Sequence, residues 1–155
     1  MIRFNEIEAG HLVAQTAGTV YVPGHHVAVT RHRDADGALL GGVILSDYTG
    51  VAFTLHEAGF VPNWMSRDLL WATFHYAFVQ LGCTSMIGTT PSHNTDALNL
   101  ALRVGFEVET TIKDCLPGGG SLIITRMWRD KCRWLKVKPR SLVCNQTMTE
   151  GPDGR

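Results

Sequence analysis

The chain has 155 residues, 45% of them hydrophobic, and its 14 lysine and arginine residues balance its 14 aspartate and glutamate residues. A chain of this length is typical of one domain and can bury a substantial core, so a second full domain is not expected. The neutral charge balance argues against nucleic acid or an anionic membrane as the main ligand, because the protein as a whole would attract neither.

Three β-strands are predicted between residues 21 and 60. The stretch HVAVTRHRDADGALLGGVILSDYTGVAFTLHEAGF contains three strand-like runs. Turn signals separate them, namely Asp36-Gly37 between the first two runs and residues 47–50 between the last two. This pattern predicts an antiparallel meander. The twenty residues before it show no readable periodicity.

A helix is predicted after Ser66. Pro62 breaks the strand pattern because proline cannot donate to a β-ladder, and Ser66 is a favourable N-cap. The apolar residues that follow recur at i, i+4, i+7, i+8 and i+11, which is typical of a helix packed on a sheet. These residues are Leu70, Phe74, Ala77, Phe78 and Leu81. Gly82 is expected to end this helix.

A short strand, TSMIGTT, and a second helix follow in the sequence. After a loop at residues 91–94, the helix is predicted over residues 95–104. Asn94 is its expected N-cap, because an asparagine side chain accepts a hydrogen bond from a free amide of the first turn. Gly105 is expected to take the left-handed conformation that ends the helix and turns the chain back to the sheet.

Two further strands, FEVETTIKD and SLIITRMWR, are joined by CLPGGG, whose proline and glycines favour a turn. The predicted fold class is α+β, with three layers and a mixed, mostly antiparallel sheet. The central strand–helix–strand unit predicts one parallel pair. Where such strands splay at their carboxyl ends a crevice opens, and a helix N-terminus beside it suits an anionic cofactor. One domain is expected over residues 1–135, followed by a polar tail at 136–155.

Metal binding and secretion are both argued against. The four cysteines are widely separated and form no C-x-x-C pair, so reduced, structural thiols are expected. His25 and His26 are adjacent, and adjacent residues on a strand point to opposite faces, so they are poor partners for one ion. No stretch approaches the roughly 20 apolar residues of a membrane span, and the N-terminal residues lack the apolar core of a signal peptide. A cytoplasmic protein without a metal site is therefore expected.

The segment QLGCTSMIGTTPSHNTDALNLALRVGFEVE ends one helix with Leu81-Gly82 and the next with Gly105-Phe106, with Asn94 and Ala97 between them. In these features it resembles the GNAT superfamily of acyl-CoA-dependent N-acetyltransferases. The segments NWMSRDLLW and CRWL are similar to a short variant associated with bacteriophage and prophage sequences. The resemblance covers about residues 20–135 and is strongest over residues 60–135.

The resemblance implies a GNAT-like fold with a V-shaped split between two parallel strands, in which the pantetheine arm of acetyl-CoA lies like an added strand. It also implies that the pyrophosphate rests on backbone amides at the start of the first helix, where free N–H groups and the helix dipole attract anions. In the family, an asparagine at the position of Asn94 contacts the pantetheine arm. The implied cofactor-binding residues are Asn63, Trp64, Met65, Ser66, Arg67 and Asn94.

The sequence departs from the family pattern in the phosphate loop. Met65 stands where the family has glycine, and Arg67 stands where it has glycine or alanine. Glycine at such a position lets the backbone approach a phosphate closely. Arg67 is expected to offer charged hydrogen bonds instead, while Ser66 donates its hydroxyl or amide. Asp68 argues against phosphate binding here, because its carboxylate competes with a phosphate for the positive end of the same helix. The alternative interpretation is that Ser66 only caps the helix and Arg67 is solvated.

The family reaction is direct transfer of an acetyl group to a primary amine. The amine must lose a proton, and either Glu57 or His56, near the end of the third meander strand, is a candidate base, directly or through water. Both could instead be exposed strand-end residues. Many family members protonate the departing thiolate with a tyrosine, whose position is Ala101 here, so Ser92 or His93 is the expected substitute. No cysteine has the surroundings of an activated nucleophile.

Two classes of function follow. The first is an N-acetyltransferase whose partners are acetyl-CoA and an unidentified amine acceptor. A homodimer is one possible assembly of it. The second is a non-catalytic protein that keeps the fold as a structural or interaction module, for example in a phage particle. The basic stretch RMWRDKCRWLKVKPR either binds RNA or phosphate groups or is an ordinary final strand with a solvated extension.

Overall fold

The structure is a computed structural model that describes residues 1–140. These residues form seven strands and three α-helices, with a π-helix and two 3-10 helices. The strands are β1 (Ile2–Phe4), β2 (Val27–His32), β3 (Leu39–Ser46), β4 (Ala52–Gly59), β5 (Ser85–Pro91), β6 (Glu107–Ile112) and β7 (Leu122–Trp128). The α-helices are α1 (Ile7–Ala17), α2 (Arg67–His75) and α3 (Thr95–Val104).

One sheet contains all seven strands, in the order β1-β2-β3-β4-β5-β7-β6. The pair β4 and β5 is parallel, and every other neighbouring pair is antiparallel. The predicted α+β class and the single parallel pair are therefore confirmed. The predicted meander corresponds to β2, β3 and β4, with turns at the expected places.

The sheet is covered on both faces, which gives three layers. On one face α1 packs against β3 and β4, where Val13 and Ala14 join a cluster with Ile44 and Ala58. On the other face α2 and the residues after α3 cover a larger core, in which Phe74 and Phe78 stack on each other and Phe106 lies beside Phe74. This second core lies directly behind the point where β4 and β5 separate.

The first elements, β1 and α1, were not predicted from the sequence. The strand has only three residues. The N-cap of the helix is Glu6, which makes no capping hydrogen bond through its side chain. Its buried side is built from small residues, including Gly10, where a β-carbon would lie 2.5 Å from two ring atoms of Tyr21. Neither a capping signal nor a strong apolar stripe marks this helix in the sequence.

The first predicted helix begins at the expected place but changes its winding. Ser66 caps α2 by accepting a hydrogen bond from the N–H of Leu69 at 3.2 Å. After His75 the chain continues as a π-helix, Tyr76–Gln80, and Gly82 turns it with a φ of 69°. A π-helix shifts the hydrogen bonds by one residue, which the apolar spacing alone does not reveal.

The second helix has the predicted bounds. Asn94 caps α3 by accepting a hydrogen bond from the N–H of Ala97 at 3.2 Å. Gly105 ends it in the left-handed region, with a φ of 119°. The preceding loop is shorter than predicted, because Pro91 is the last residue of β5.

Residues 129–140 run back across α2 and α3. Trp134 donates from its indole Nε1 to the carbonyl oxygen of Val104 at 2.8 Å, and Cys132 is buried beside it. The N–H of Arg140 donates to the carboxylate of Asp68 at 3.0 Å. The predicted tail at 136–155 begins within this segment, and its residues 141–155, with Cys144, lie outside the described residues.

Candidate functional site

A cleft opens through the sheet where the parallel strands separate. Their register ends at Leu55 opposite Gly88, although β4 continues to Gly59 and β5 to Pro91. The cavity between them measures ≈170 Å³ and reaches from the end of α1 to the inner sides of α2 and α3. Gly88 keeps it open, since a β-carbon there would lie 2.5 Å from the Thr125 hydroxyl. The splayed pair therefore leaves the edge of β4 free to pair with an extended ligand.

Two buried hydroxyl groups that line this cleft have no partner in the part of the chain that the structure describes. The side-chain oxygens of Thr73 on α2 and Thr125 on β7 are buried and have no hydrogen-bond partner within residues 1–140. A buried hydroxyl without a partner destabilises a protein by about 1–3 kcal/mol. A ligand with amide groups in the cleft would satisfy both. The cleft thus offers two buried hydroxyl groups to a polar ligand.

Glu57 is the carboxylate of the cleft. It lies on β4 just beyond the last residue pair with β5, and its carboxyl makes no hydrogen bond or ion pair within residues 1–140. Burial raises the pKa of this carboxyl from 4.5 to about 7. A group with this pKa gives up and accepts a proton readily near neutral pH, as a general base requires.

His56 lines the same cleft from the side of the sheet that α1 covers. Its Nε2 lies 3.1 Å from the hydroxyl of Ser46, which donates its own proton to Asp47 at 2.8 Å. The Ser46 oxygen therefore accepts from His56, which leaves the Nδ1 of the imidazole unprotonated. Burial lowers the pKa of His56, an effect that Asp47 opposes and His26 reinforces. His56 is thus a neutral, weaker base held by a side-chain network.

The loop between β4 and α2 is anchored by a tryptophan on bare backbone. The indole of Trp64 covers Gly41 and Gly59, which are paired across β3 and β4. A β-carbon on either glycine would overlap the indole ring. Asn63, just before it, has a φ of 56°, a left-handed conformation that asparagine tolerates better than most residues. Both loop residues were predicted from the sequence to bind the cofactor, whereas this anchor was not predicted.

Arg31 ties down the other side of the loop. From β2 it donates through Nη1 to the carbonyl oxygens of Asn63 and Trp64, both at 2.8 Å. No sequence signal pointed to this residue, because it lies more than 30 positions away from the carbonyl groups that it holds. The loop is therefore fixed by one tryptophan and one arginine instead of by glycines.

A shallow pocket of ≈750 Å³ lies between this loop and α3. Trp64 and Met65 form one wall, and Asn94 and Arg103 belong to the other. Met65 and Asn94 also line the cleft, so the pocket and the cleft are continuous. Arg103 was not predicted from the sequence, although its position nine residues after the helix cap places it on α3, where it lines this pocket.

Ser66 and Arg67 lie on a different side of the loop. Both line a pocket of ≈420 Å³ with Arg31, Asp34 and Arg140, among other residues. Neither is among the residues that line the cleft or the pocket beside α3 within residues 1–140. The hydroxyl of Ser66 is used as the helix cap. The structure thus separates these two predicted cofactor residues from Asn63, Trp64, Met65 and Asn94.

Ser92 is also separated from the cleft. Its hydroxyl accepts a hydrogen bond from the N–H of Ser121 at 3.0 Å, and its own N–H donates to the carbonyl oxygen of Ser121 at 2.8 Å. It extends the pairing of β5 with β7 and is not among the described residues that line the cleft. Ala101, the position of the family tyrosine, does line it. Glu57 and His56 are therefore the two candidate catalytic residues that the structure brings into the cleft.

The part of the chain that the structure describes has no group of three or more histidine, cysteine, aspartate or glutamate side chains placed to hold a metal ion. None of the helices within residues 1–140 has the length and apolar character needed to cross a lipid bilayer. Cys83 and Cys132 are buried free thiols, and burial raises the pKa of both, as expected for structural cysteines.

Solved acetyltransferases share this fold. A spermidine/spermine N-acetyltransferase from Vibrio cholerae, in complex with manganese ions, has 15% sequence identity and a TM-score of 0.64, over 84% of this chain and 93% of that one. An acetyltransferase of the GNAT family from Bacillus anthracis has 15% identity and a TM-score of 0.60, over 79% and 89% of the two chains. No protein-family model and no curated protein sequence matches the chain. The comparisons thus show that this chain has the GNAT fold.

Proposed function

We propose that the chain is an N-acetyltransferase that moves an acetyl group from acetyl-CoA directly to a primary amine. The observation that carries this proposal is Glu57, a carboxyl with a pKa of about 7 and no partner within residues 1–140, in the cleft between the splayed strands β4 and β5. The solved structures with the same fold are N-acetyltransferases and a GNAT-family acetyltransferase, which supports acetyl transfer as the reaction class.

The cleft and the pocket beside α3 together suit acetyl-CoA. The free edge of β4 beyond Leu55 can pair with the pantetheine arm, and the hydroxyls of Thr73 and Thr125 can bind its amide groups. Asn94 stands where the cleft and the pocket meet, so its side chain can contact the arm while it caps α3. The pocket then receives the phosphates, with Arg103 as a nearby cation.

In the proposed reaction a C–N bond forms to the amine and the C–S bond of the thioester breaks. Glu57 takes the proton that the amine loses, and the thiolate gains one from solvent or from the same carboxyl. A carboxyl with a pKa of about 7 is ionised in about half of the molecules at neutral pH. A thiolate leaves without strong acid help, because thiol pKa values lie near 8.5. An alanine at position 101 is therefore compatible with turnover.

The cleft favours an acceptor with one positive charge. Glu57 is the single carboxylate among the described residues that line it, and its other lining residues are neutral at pH 7. A polyamine would bring two or more further charges to a cleft whose described lining has no second carboxylate to pair with them, which is costly. The Vibrio cholerae neighbour is named for spermidine and spermine, and the proposed acceptor here is a monoamine.

Melting with acetyl-CoA tests the proposal first. A ligand at about 100 times its dissociation constant stabilises a protein by about 2.7 kcal/mol, which raises Tm by about 5–10 °C in a domain of this size. We expect this rise with acetyl-CoA and none with adenosine. No shift at millimolar acetyl-CoA would contradict the proposal and favour a GNAT-fold structural or interaction protein. An acceptor screen over monoamines, peptides, polyamines and tRNA then follows.

A further inference from the structure

We infer that Arg31 is a positioning residue for the phosphate groups of acetyl-CoA. By holding two carbonyl groups of the loop before α2, it turns the following two backbone N–H groups toward the pocket beside α3. This inference rests on the proposed function, since it concerns how the same co-substrate is held. The side chain of Arg31 itself does not need to touch the phosphates.

The contacts of Arg31 determine which way two peptide groups face. One guanidinium nitrogen, Nη1, donates to the carbonyl oxygens of Asn63 and Trp64, each at 2.8 Å. A trans peptide group is planar, and its C=O and N–H point in opposite directions. The chain has no cis peptide bond within residues 1–140. The N–H groups of Trp64 and Met65 therefore point away from Arg31.

The opposite side of the loop is the pocket beside α3. Arg31 lines the pocket that contains Ser66 and Arg67, whereas Trp64 and Met65 line the pocket that contains Arg103. Within residues 1–140 neither of these two N–H groups donates to a backbone or side-chain acceptor. Free backbone N–H groups just before a helix can donate to an anion such as phosphate. Arg103 adds a positive charge to this pocket, whose described lining also contains the carboxylates of Asp96 and Glu57.

This arrangement explains how the loop can work without glycines at positions 65 and 67. Glycine allows close approach of a phosphate and free choice of peptide orientation. Here the orientation is set from behind, because Trp64 rests on Gly41 and Gly59 while Arg31 binds the carbonyls. Without Arg31 either peptide group can rotate, and a carbonyl oxygen that faced the pocket would repel a phosphate.

Two acetyl donors separate this role from a purely structural one. Acetyl-CoA carries the phosphates, and S-acetylpantetheine carries the same thioester without them. We expect Arg31→Ala to raise the KM for acetyl-CoA by about tenfold or more, the effect of losing hydrogen bonds made by a charged group. The kcat and the KM for S-acetylpantetheine should stay within about twofold. Arg31→Lys keeps a positive charge that can donate to a carbonyl oxygen, so its KM for acetyl-CoA should lie between those of the wild type and Arg31→Ala.

Arg33→Ala is the matched control, because Arg33 is an exposed arginine just beyond the end of β2 that pairs only with Asp36 within residues 1–140. It should leave the KM for both donors unchanged.

Equal losses for both donors in Arg31→Ala and Arg31→Lys would overturn the inference and assign Arg31 to folding alone. Calorimetric titration with CoA and with pantetheine gives the same comparison without an acceptor. Wild-type protein that does not bind CoA would overturn the proposed function and this inference together, whereas strong wild-type binding unchanged in both variants would overturn the inference alone.

Discussion

The indole of Trp64 lies on the backbone of Gly59, where the β-carbon of any other residue would overlap the ring. Gly59 is the last residue of β4, and Trp64 belongs to the loop that leads into α2. The end of the splayed strand and the start of the helix are therefore joined by a contact that requires glycine. The position of the loop beside the cleft depends on this contact.

Gly59→Ala is expected to displace Trp64 and to weaken acetyl-CoA binding. The overlap should reduce the free energy of unfolding by about 1–3 kcal/mol, as for other overpacked sites. Thermal melting and the KM for acetyl-CoA measure the two effects. In a Trp64→Ala background the same substitution should cost less than half as much stability, because the ring is absent. An equal cost in both backgrounds would show that the contact is not the cause.

Glu57→Gln is expected to lower kcat by about 10²- to 10⁴-fold, the usual contribution of a positioned general base. In the wild-type protein kcat/KM should rise with pH through about 7 and then level off, because the free enzyme's carboxyl must be ionised. Glu109→Gln is the control, since Glu109 is an exposed residue of β6 that pairs with Arg126 on β7. A Glu57→Gln enzyme that keeps its rate and its pH profile would assign the base to His56.

The stability of the protein should also depend on Glu57. Its folded pKa of about 7 is above the ordinary value of 4.5, so between these pH values the folded state binds more protons than the unfolded state. Stability from this group is therefore full below about pH 4.5, falls as the pH rises to about 7, and is constant above it. Urea unfolding at pH 5 and pH 8 should show that Glu57→Gln removes about 1–3 kcal/mol of this decrease. An identical pH dependence in both proteins would contradict the raised pKa.

Asn94 has two roles that can be separated by substitution. Asn94→Ala should cost about 1 kcal/mol of stability through the lost cap and should also raise the KM for acetyl-CoA. Asn94→Asp keeps a capping oxygen but places a negative charge where the cleft meets the phosphate pocket. It should therefore keep the melting temperature and still raise the KM. If Asn94→Asp leaves the KM unchanged, Asn94 serves α3 alone.

If the cleft prefers a monoamine because it has one carboxylate, a second carboxylate at its mouth should improve the acetylation of a polyamine. Wild-type protein should acetylate a simple alkyl monoamine with a higher kcat/KM than spermidine. Thr16 is an exposed residue of α1 that lines the mouth of the cleft, so Thr16→Glu adds a charge at little cost to the fold. In Thr16→Glu the ratio of kcat/KM for the monoamine to kcat/KM for spermidine should fall by about tenfold, because the new carboxylate pairs with a second ammonium group. In Thr16→Gln this ratio should stay unchanged. A wild-type preference for spermidine would contradict the acceptor class.

Local signals in the sequence were sufficient for much of the fold. The bounds of α3 follow from Asn94 and Gly105, because capping and a left-handed end depend only on residues within the same turn. The meander and the single parallel pair follow from strand spacing and from the length of the connection, which allows a crossover helix. The cleft between β4 and β5 is a consequence of that parallel pair. These features are properties of short stretches of chain.

The tertiary structure alone determined the chemistry of the site. The pKa of Glu57 depends on how many neighbours exclude water from it, and Ser92 is held away from the cleft because Ser121, just before β7, hydrogen-bonds to it. Arg31 orients a loop more than 30 residues away. Burial, and hydrogen bonds between distant residues, arise only when the whole chain has folded. The sequence by itself therefore determined α2, α3, the strands from β2 to β7 and the expectation of a cleft, because their signals are local. Only the packed structure decided β1, α1 and which of the candidate residues enter the cleft and in what state, because these depend on contacts between distant parts of the chain.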